Sequence, residues 1–308
     1  MDHSLAGLHV PLITPLDTDG ELAADALEAL AHSILDAGAA GLVALGTTAE
    51  PATLTAGERR AILDICARVC RERSATLIAG AGSNDTHASL EALRELAAWP
   101  EVSAALAVVP YFTRPSEEGV IAHFTRLAAG SPVPLIIYNI PQRTGQAVRW
   151  PALRRLADTD GISGVKQAVG GIDEDTVRLM ADLPDGFAVL AGDDLFASAL
   201  LALGAAGAIL ASAHLATDRW TALVGSWRAG EASRARALGH QLTGLSATLF
   251  AEPNPTVIKA VLPAQGRLPS PAVRLPLLPA STGAIRTALR HATELIQLNE
   301  APPHQHVG

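Results

Sequence analysis

The sequence predicts an α/β fold, a closed (β/α)8 TIM barrel with a C-terminal helical extension. Three observations carry this prediction. Eight short apolar runs recur before residue 217 and alternate with amphipathic helical stretches. The runs are continuously apolar, as in parallel strands covered on both faces, rather than alternating as half-exposed strands do. Eight strand–helix units in so short a span suit a closed barrel better than an open doubly wound sheet.

In order, the runs are HVPLIT (9–14), GLVAL (41–45), TLIAG (76–80), AALAVV (104–109), PLIIYN (134–139), GISGVK (161–166), FAVLAG (187–192) and GAILAS (207–212). Helical patterns between them include ADALEALAHSILDAG (24–38), AGERRAILDICARVCRE (56–72) and EEGVIAHFTRLAAG (117–130). Thr55, with Glu58 three residues on, has the spacing of a capping box. Leu195 to Thr217 lacks Asp, Glu, Lys and Arg, but Gly204 and Gly207 interrupt it. That segment reads as helix, turn and buried strand rather than as a membrane span. Residues 1–217 are assigned to the barrel and 218–308 to C-terminal helices packed on it. The extension holds a Pro-rich stretch (262–280), a last helix (282–298) and a tail, NEAPPHQHVG (299–308), expected to fray.

The 308 residues are 49% hydrophobic and 18% charged, which excludes a disordered chain. A net charge of −8 argues against nucleic acid and anionic membranes as partners. The first residues, MDHSLAGLHV, show no secretion signal, so a cytoplasmic location is expected. Cys66 and Cys70 lie four apart on one predicted helix and read as buried apolar side chains. GAGSND (80–85) lacks the third Gly of a dinucleotide fingerprint. The ten His are scattered, with only His304 and His306 close together, and no metal-ligand spacing appears.

A barrel places function where strands end and loops begin. Lys166 ends the sixth strand, and only Lys166 and Lys259 are lysines among 23 basic residues. Tyr138 ends the fifth strand; Tyr138 and Tyr111 are the only tyrosines, and both fall at predicted strand ends. Lys carries a primary amine that can condense with a ketone, which Arg cannot do. The attacking form is the neutral amine, which apolar surroundings favour. A protonated imine then accepts electrons as a proton leaves the neighbouring carbon. Tyr138 suits proton traffic around such a centre, with a Thr hydroxyl passing protons on. Taken singly, Lys166 also fits an ion-paired strand-end lysine and Tyr138 a rim tyrosine. GTTAEPATLT (46–55), beginning at Gly46, offers hydroxyls and free N–H groups to a carboxylate, or is a plain capped turn. Arg143 can grip a second carboxylate or remain solvated. Asp193 and Asp194 read as capping and mouth hydrogen-bonding groups.

The motifs GTTAEPATL, PYFTRPSEEG, YNIPQRTG, GVKQAVGG, AGDD and AEPNP together resemble the dihydrodipicolinate synthase / N-acetylneuraminate lyase family. The resemblance covers roughly residues 8–295. It implies a class I, Schiff-base lyase or synthase acting on pyruvate and an aldehyde, with no metal or organic cofactor. It implies a homotetramer built as a dimer of dimers. By resemblance, Lys166 is the Schiff-base lysine, Tyr138 shuttles protons, Thr47 relays them and Thr48 holds the pyruvate carboxylate. Gly46 lies beside that pair, the backbone of Ile209 contacts pyruvate, and Arg143 receives the carboxylate of aspartate semialdehyde. That last feature favours 4-hydroxy-tetrahydrodipicolinate synthesis over another aldolase or dehydratase of the family, for instance on a 2-keto-3-deoxy sugar acid; a non-catalytic keto-acid binder is the third reading. Two positions depart from the family pattern. Tyr111 and Phe112 stand where two tyrosines are usual, the second being supplied by a neighbouring subunit to complete a proton relay. Ala49 stands where Gly is usual. Ala56 and Ala88 replace the His and Glu of lysine-inhibited relatives, which implies weak or absent lysine feedback.

Overall fold

The structure is a computed structural model that describes residues 5–300, with side chains through Leu295. His304 and His306 lie outside the described residues, as does the end of the tail. Among the described residues eight parallel strands close in sequence order: β1 (Gly7–Pro11), β2 (Gly41–Ala44), β3 (Thr76–Gly80), β4 (Val102–Val108), β5 (Leu135–Asn139), β6 (Ile162–Gln167), β7 (Ala188–Ala191) and β8 (Gly207–Ile209). β8 pairs with β1, so no edge remains open. The expected barrel, all eight strands and the C-terminal helices are therefore present.

The outer helices are α1 (Ala24–Asp36), α2 (Ala56–Arg73), α3 (Thr86–Glu95), α4 (Glu117–Ala128), the single turn α5 (Pro141–Thr144), α6 (Trp150–Ala157), α7 (Glu174–Ala181), α8 (Ala197–Ala202) and α9 (Thr217–Arg228). α10 (Ala232–Leu249), α11 (Thr256–Val261) and α12 (Thr282–Glu300) follow. α9 packs on β1 and against α10, and α12 packs on both α10 and α11. The apolar run after Leu195 divides as expected into helix, a turn at Gly204 and a buried strand. No helix among the described residues is long and apolar enough to cross a membrane. β8 is shorter than its apolar run, because Ala211–His214 turns into a 3-10 helix.

Local signals account for the helix ends. Thr55 and Glu58 close the capping box on α2, as expected. Asp85, Ser116 and Asp173 cap α3, α4 and α7 through their side chains. Cys66 and Cys70 are free, buried thiols; burial pushes the Cys70 thiol up to about 12, out of the reactive range.

The core has two layers. The larger lies between strands and helices. The smaller fills the barrel with Val43, Ile78, Leu106, Ile136, Leu190 and Ile209, among others. Side chains of a strand alternate faces. Ile136 and Tyr138 on β5 therefore share the inner face, as do Gly164 and Lys166 on β6, and the ladder pairs Tyr138 with Lys166. These are the last inward positions of their strands. The barrel thus delivers one amine and one phenol, side by side, to its C-terminal mouth.

Candidate active site

Lys166 is only 6% exposed, and its Nζ lies 4.2 Å from the centroid of the Tyr138 ring. Among the described residues the amine makes no hydrogen bond or ion pair. With Ile209, Ala168, Gly192 and the carboxyls of Asp193 and Asp194, Lys166 lines a cavity of about 100 Å³. That is room for a small metabolite and well short of a nucleotide site. Thr47, Thr48, Tyr138, Arg143 and Ile209, all singled out from sequence, line the same cavity. Gly46 lies just outside it, as the extended residue that starts the Thr47–Ala49 turn. Arg143 projects from α5, is exposed, and has no ion pair among the described residues. Tyr111 and Phe112 are not brought in: they are 39% and 88% exposed on the loop after β4. Among the described residues no group of three or more His, Cys, Asp or Glu could hold a metal ion.

Packing explains why the lysine points inward. Gly192 follows β7 in the inward register, and a Cβ there would lie 2.5 Å from Cγ and 2.8 Å from Cε of Lys166. The Tyr138 ring bounds the other side. Gly192→Ala is therefore expected to push the amine off its position and to slow pyruvate–borohydride trapping about 100-fold, with the fold retained. Trapping rates measured at fixed pyruvate would check this; an unchanged rate would show that the lysine tolerates displacement.

The Thr47–Ala49 turn lies between two non-glycine residues in the left-handed region, Leu45 (φ 55°) and Glu50 (φ 56°). Such residues cost on the order of 1–3 kcal/mol each and persist where their surroundings fix them. Glu50 is fixed. Its carboxylate accepts from Lys259 Nζ at 2.7 Å and from the Arg274 backbone N–H at 3.1 Å. Thr48 Oγ1 in turn accepts from Asn254 Nδ2 at 3.0 Å. Asn254, Lys259 and Arg274 all belong to the C-terminal extension, and sequence reasoning assigned none of them a role; AEPNP marked Asn254 only as part of a motif.

Asp194 accepts a hydrogen bond from the Ser212 backbone N–H at 2.6 Å, the mouth interaction expected of it. Asp193 makes no side-chain capping bond. Burial pushes the Asp194 carboxyl up to about 6 and also raises Asp193, while the positive charge of Lys166 pulls both down. Two histidines deep in the barrel wall behave oppositely. Burial holds both His9 and His214 down at about 4. His214 is locked neutral: Nδ1 faces the Ala211 carbonyl at 2.8 Å, and Nε2 accepts from the Ile13 N–H at 3.3 Å. The sign of the linkage follows. Between pH 6.5 and 4 the unfolded chain binds protons that these histidines refuse, so their stabilisation is complete above 6.5 and lost as pH falls toward 4. Asp194 opposes this, since its raised affinity favours the folded state below pH 6. Urea unfolding at pH 7 and pH 5 is expected to show a net loss of about 2 kcal/mol at the lower pH. Equal stability at the two values would mean that the histidines are not kept neutral.

A dry primary amine at the mouth of a (β/α)8 barrel, backed by a phenol and flanked by hydroxyls, marks the class of barrel enzymes that bind keto acids as Schiff bases. The chain belongs to the dihydrodipicolinate synthetase family, which it matches over residues 4–294. It is 40% identical over 270 residues to a 4-hydroxy-tetrahydrodipicolinate synthase of Moorella thermoacetica, covering 88% of this chain and 91% of that protein. It is 35% identical over 294 residues to the corresponding synthase of Neisseria gonorrhoeae, covering 94% of this chain and all (100%) of that one. The crystal structure of the chloride-inhibited dihydrodipicolinate synthase from Acinetobacter baumannii, complexed with pyruvate, superposes with a TM-score of 0.89 at 32% identity, covering 94% of this chain and 99% of that one.

Proposed function

We propose that the chain is a class I lyase that condenses pyruvate with aspartate semialdehyde, as a 4-hydroxy-tetrahydrodipicolinate synthase. The observation that carries this is the buried, unpaired Lys166 amine set against the Tyr138 ring. Lys166 Nζ attacks the keto carbon of pyruvate, and loss of water from the carbinolamine leaves the imine. Loss of a methyl proton gives the enamine, whose terminal carbon bonds to the aldehyde carbon of the second substrate. Tyr138 and Thr47 move the protons, Thr48 holds the pyruvate carboxylate, the Ile209 backbone contacts pyruvate, Gly46 starts the turn that presents Thr48, and Arg143 takes the carboxylate of the semialdehyde. The amino group of the semialdehyde then attacks the imine carbon, closes the ring and frees Lys166. No step calls on a metal or organic cofactor.

The proposal extends to a cytoplasmic homotetramer, a dimer of dimers, with barrel and extension dividing near residue 217. The exposure of Phe112 suits a loop that meets a neighbouring subunit. Phe112 also supports the second reading, a different aldehyde, because a phenyl ring cannot carry a proton. A panel of aldehydes offered with pyruvate decides between them. Aspartate semialdehyde is expected to have the highest kcat/KM; preference for a sugar-derived aldehyde would establish the alternative. A non-catalytic binder would turn over none of them.

A further inference from the structure

Lys259 is the chain's second lysine, and its side chain is completely buried (0% exposed) against the Glu50 carboxylate, itself 3% exposed. Neither group was assigned to the chemistry above. Removing two charges from water costs several kcal/mol per ion, and the attraction between them often does no more than offset that cost. A buried ion pair is therefore a poor means of stabilising a fold, and its position requires another explanation.

The pair sits directly behind the Thr47–Ala49 turn. Glu50 is the left-handed residue that ends this turn, and Lys259 lies on α11. Glu50 presents one carboxylate oxygen to Lys259 Nζ and the other to the Arg274 N–H, so its side chain is held at both oxygens. The turn is held at a second point by the Asn254 Nδ2 bond to Thr48 Oγ1. Thr14 Oγ1 donates to the Ala49 carbonyl at 2.7 Å and fixes the floor. A hydroxyl oxygen that accepts from an amide has its own hydrogen free to donate elsewhere. Thr48 lines the cavity, so that hydrogen is available to a carboxylate bound there.

We propose that Glu50, Lys259 and Asn254 are positioning residues. The Glu50–Lys259 pair clamps the turn to the C-terminal extension, and Asn254 orients the Thr48 hydroxyl to donate to the keto-acid carboxylate. This rests on the reading of Thr48 as the pyruvate-carboxylate group, and it gives the extension a function at the barrel mouth. The second substrate, held by Arg143 on the far loop, lies outside the clamp.

Lys259→Met alone strands a buried carboxylate and risks unfolding, so the test uses the neutral pair Lys259→Met/Glu50→Gln together with Asn254→Ala in the full chain. Each variant is expected to raise KM for pyruvate about tenfold, the scale of one misdirected hydrogen bond to a charged group. KM for the aldehyde stays within about twofold. Borohydride trapping at saturating pyruvate still loads Lys166 in every variant. Restoring the amide donor with Asn254→Gln recovers part of the pyruvate affinity. Folded variants that lose thermal stability but keep the pyruvate KM would overturn the proposal and reduce the pair to a structural one. An equal rise in both KM values would also overturn it. Failure of the unaltered chain to trap pyruvate would sink the Schiff-base reading itself, and this proposal with it.

Discussion

Lys166→Arg is expected to remove carbon–carbon bond formation, lowering kcat by about 10⁴- to 10⁶-fold, the range for loss of a covalent nucleophile. The substitution keeps a positive charge and a long side chain, so an electrostatic role for Lys166 would survive it. A guanidinium stays protonated throughout the working range and cannot form the imine. Mass spectrometry after pyruvate and borohydride makes the distinction without an activity assay. The unaltered chain gains one reduced pyruvyl group; the variant gains none. A full adduct in the variant would place the nucleophile elsewhere, with Lys259 the only other lysine. Lys259 is an unsuitable nucleophile, because it is sealed from solvent against Glu50.

Tyr138→Phe is expected to lower kcat by about 10² to 10⁴, the contribution of a positioned proton-transfer group. The phenyl ring preserves the face on which Lys166 Nζ rests and the packing of a side chain that is 6% exposed. The variant therefore isolates the hydroxyl. The pyruvyl adduct should still form, but slowly, because carbinolamine dehydration and methyl deprotonation both need proton transfer. Stopped-flow trapping should show a slow approach to the same final adduct. A kcat within about threefold of the unaltered value would mean that protons travel by another route, such as Thr47 and water. The outcome matters more in this chain than where two adjacent tyrosines follow the fourth strand, because here Phe112 supplies no second phenol.

Much of this protein was legible locally. Continuous apolar runs and their spacing indicated the barrel, and the positions of Tyr138 and Lys166 at strand ends placed both at its mouth. The rarity of lysine and tyrosine drew attention to those positions. Thr47, Thr48 and Arg143 were legible only as possibilities, since a Thr-rich turn and a loop arginine have ordinary explanations. The motifs that resemble the family resolved what residue chemistry left open.

Other features had no local signal. Glu50 and Lys259 are 209 residues apart in sequence, and Asn254 is 206 from Thr48. Gly192 reads as one more loop glycine until the missing Cβ is placed against Lys166. Sequence by itself determined the repeating strand–helix pattern and the placing of Lys166 and Tyr138 at strand ends, because apolar runs and their boundaries are local properties of the chain. Tertiary structure alone decided that the C-terminal extension grips the turn behind the cavity and that a neighbouring strand leaves room for the lysine. Those relations depend on which distant surfaces meet when the barrel closes, and no local pattern encodes that meeting.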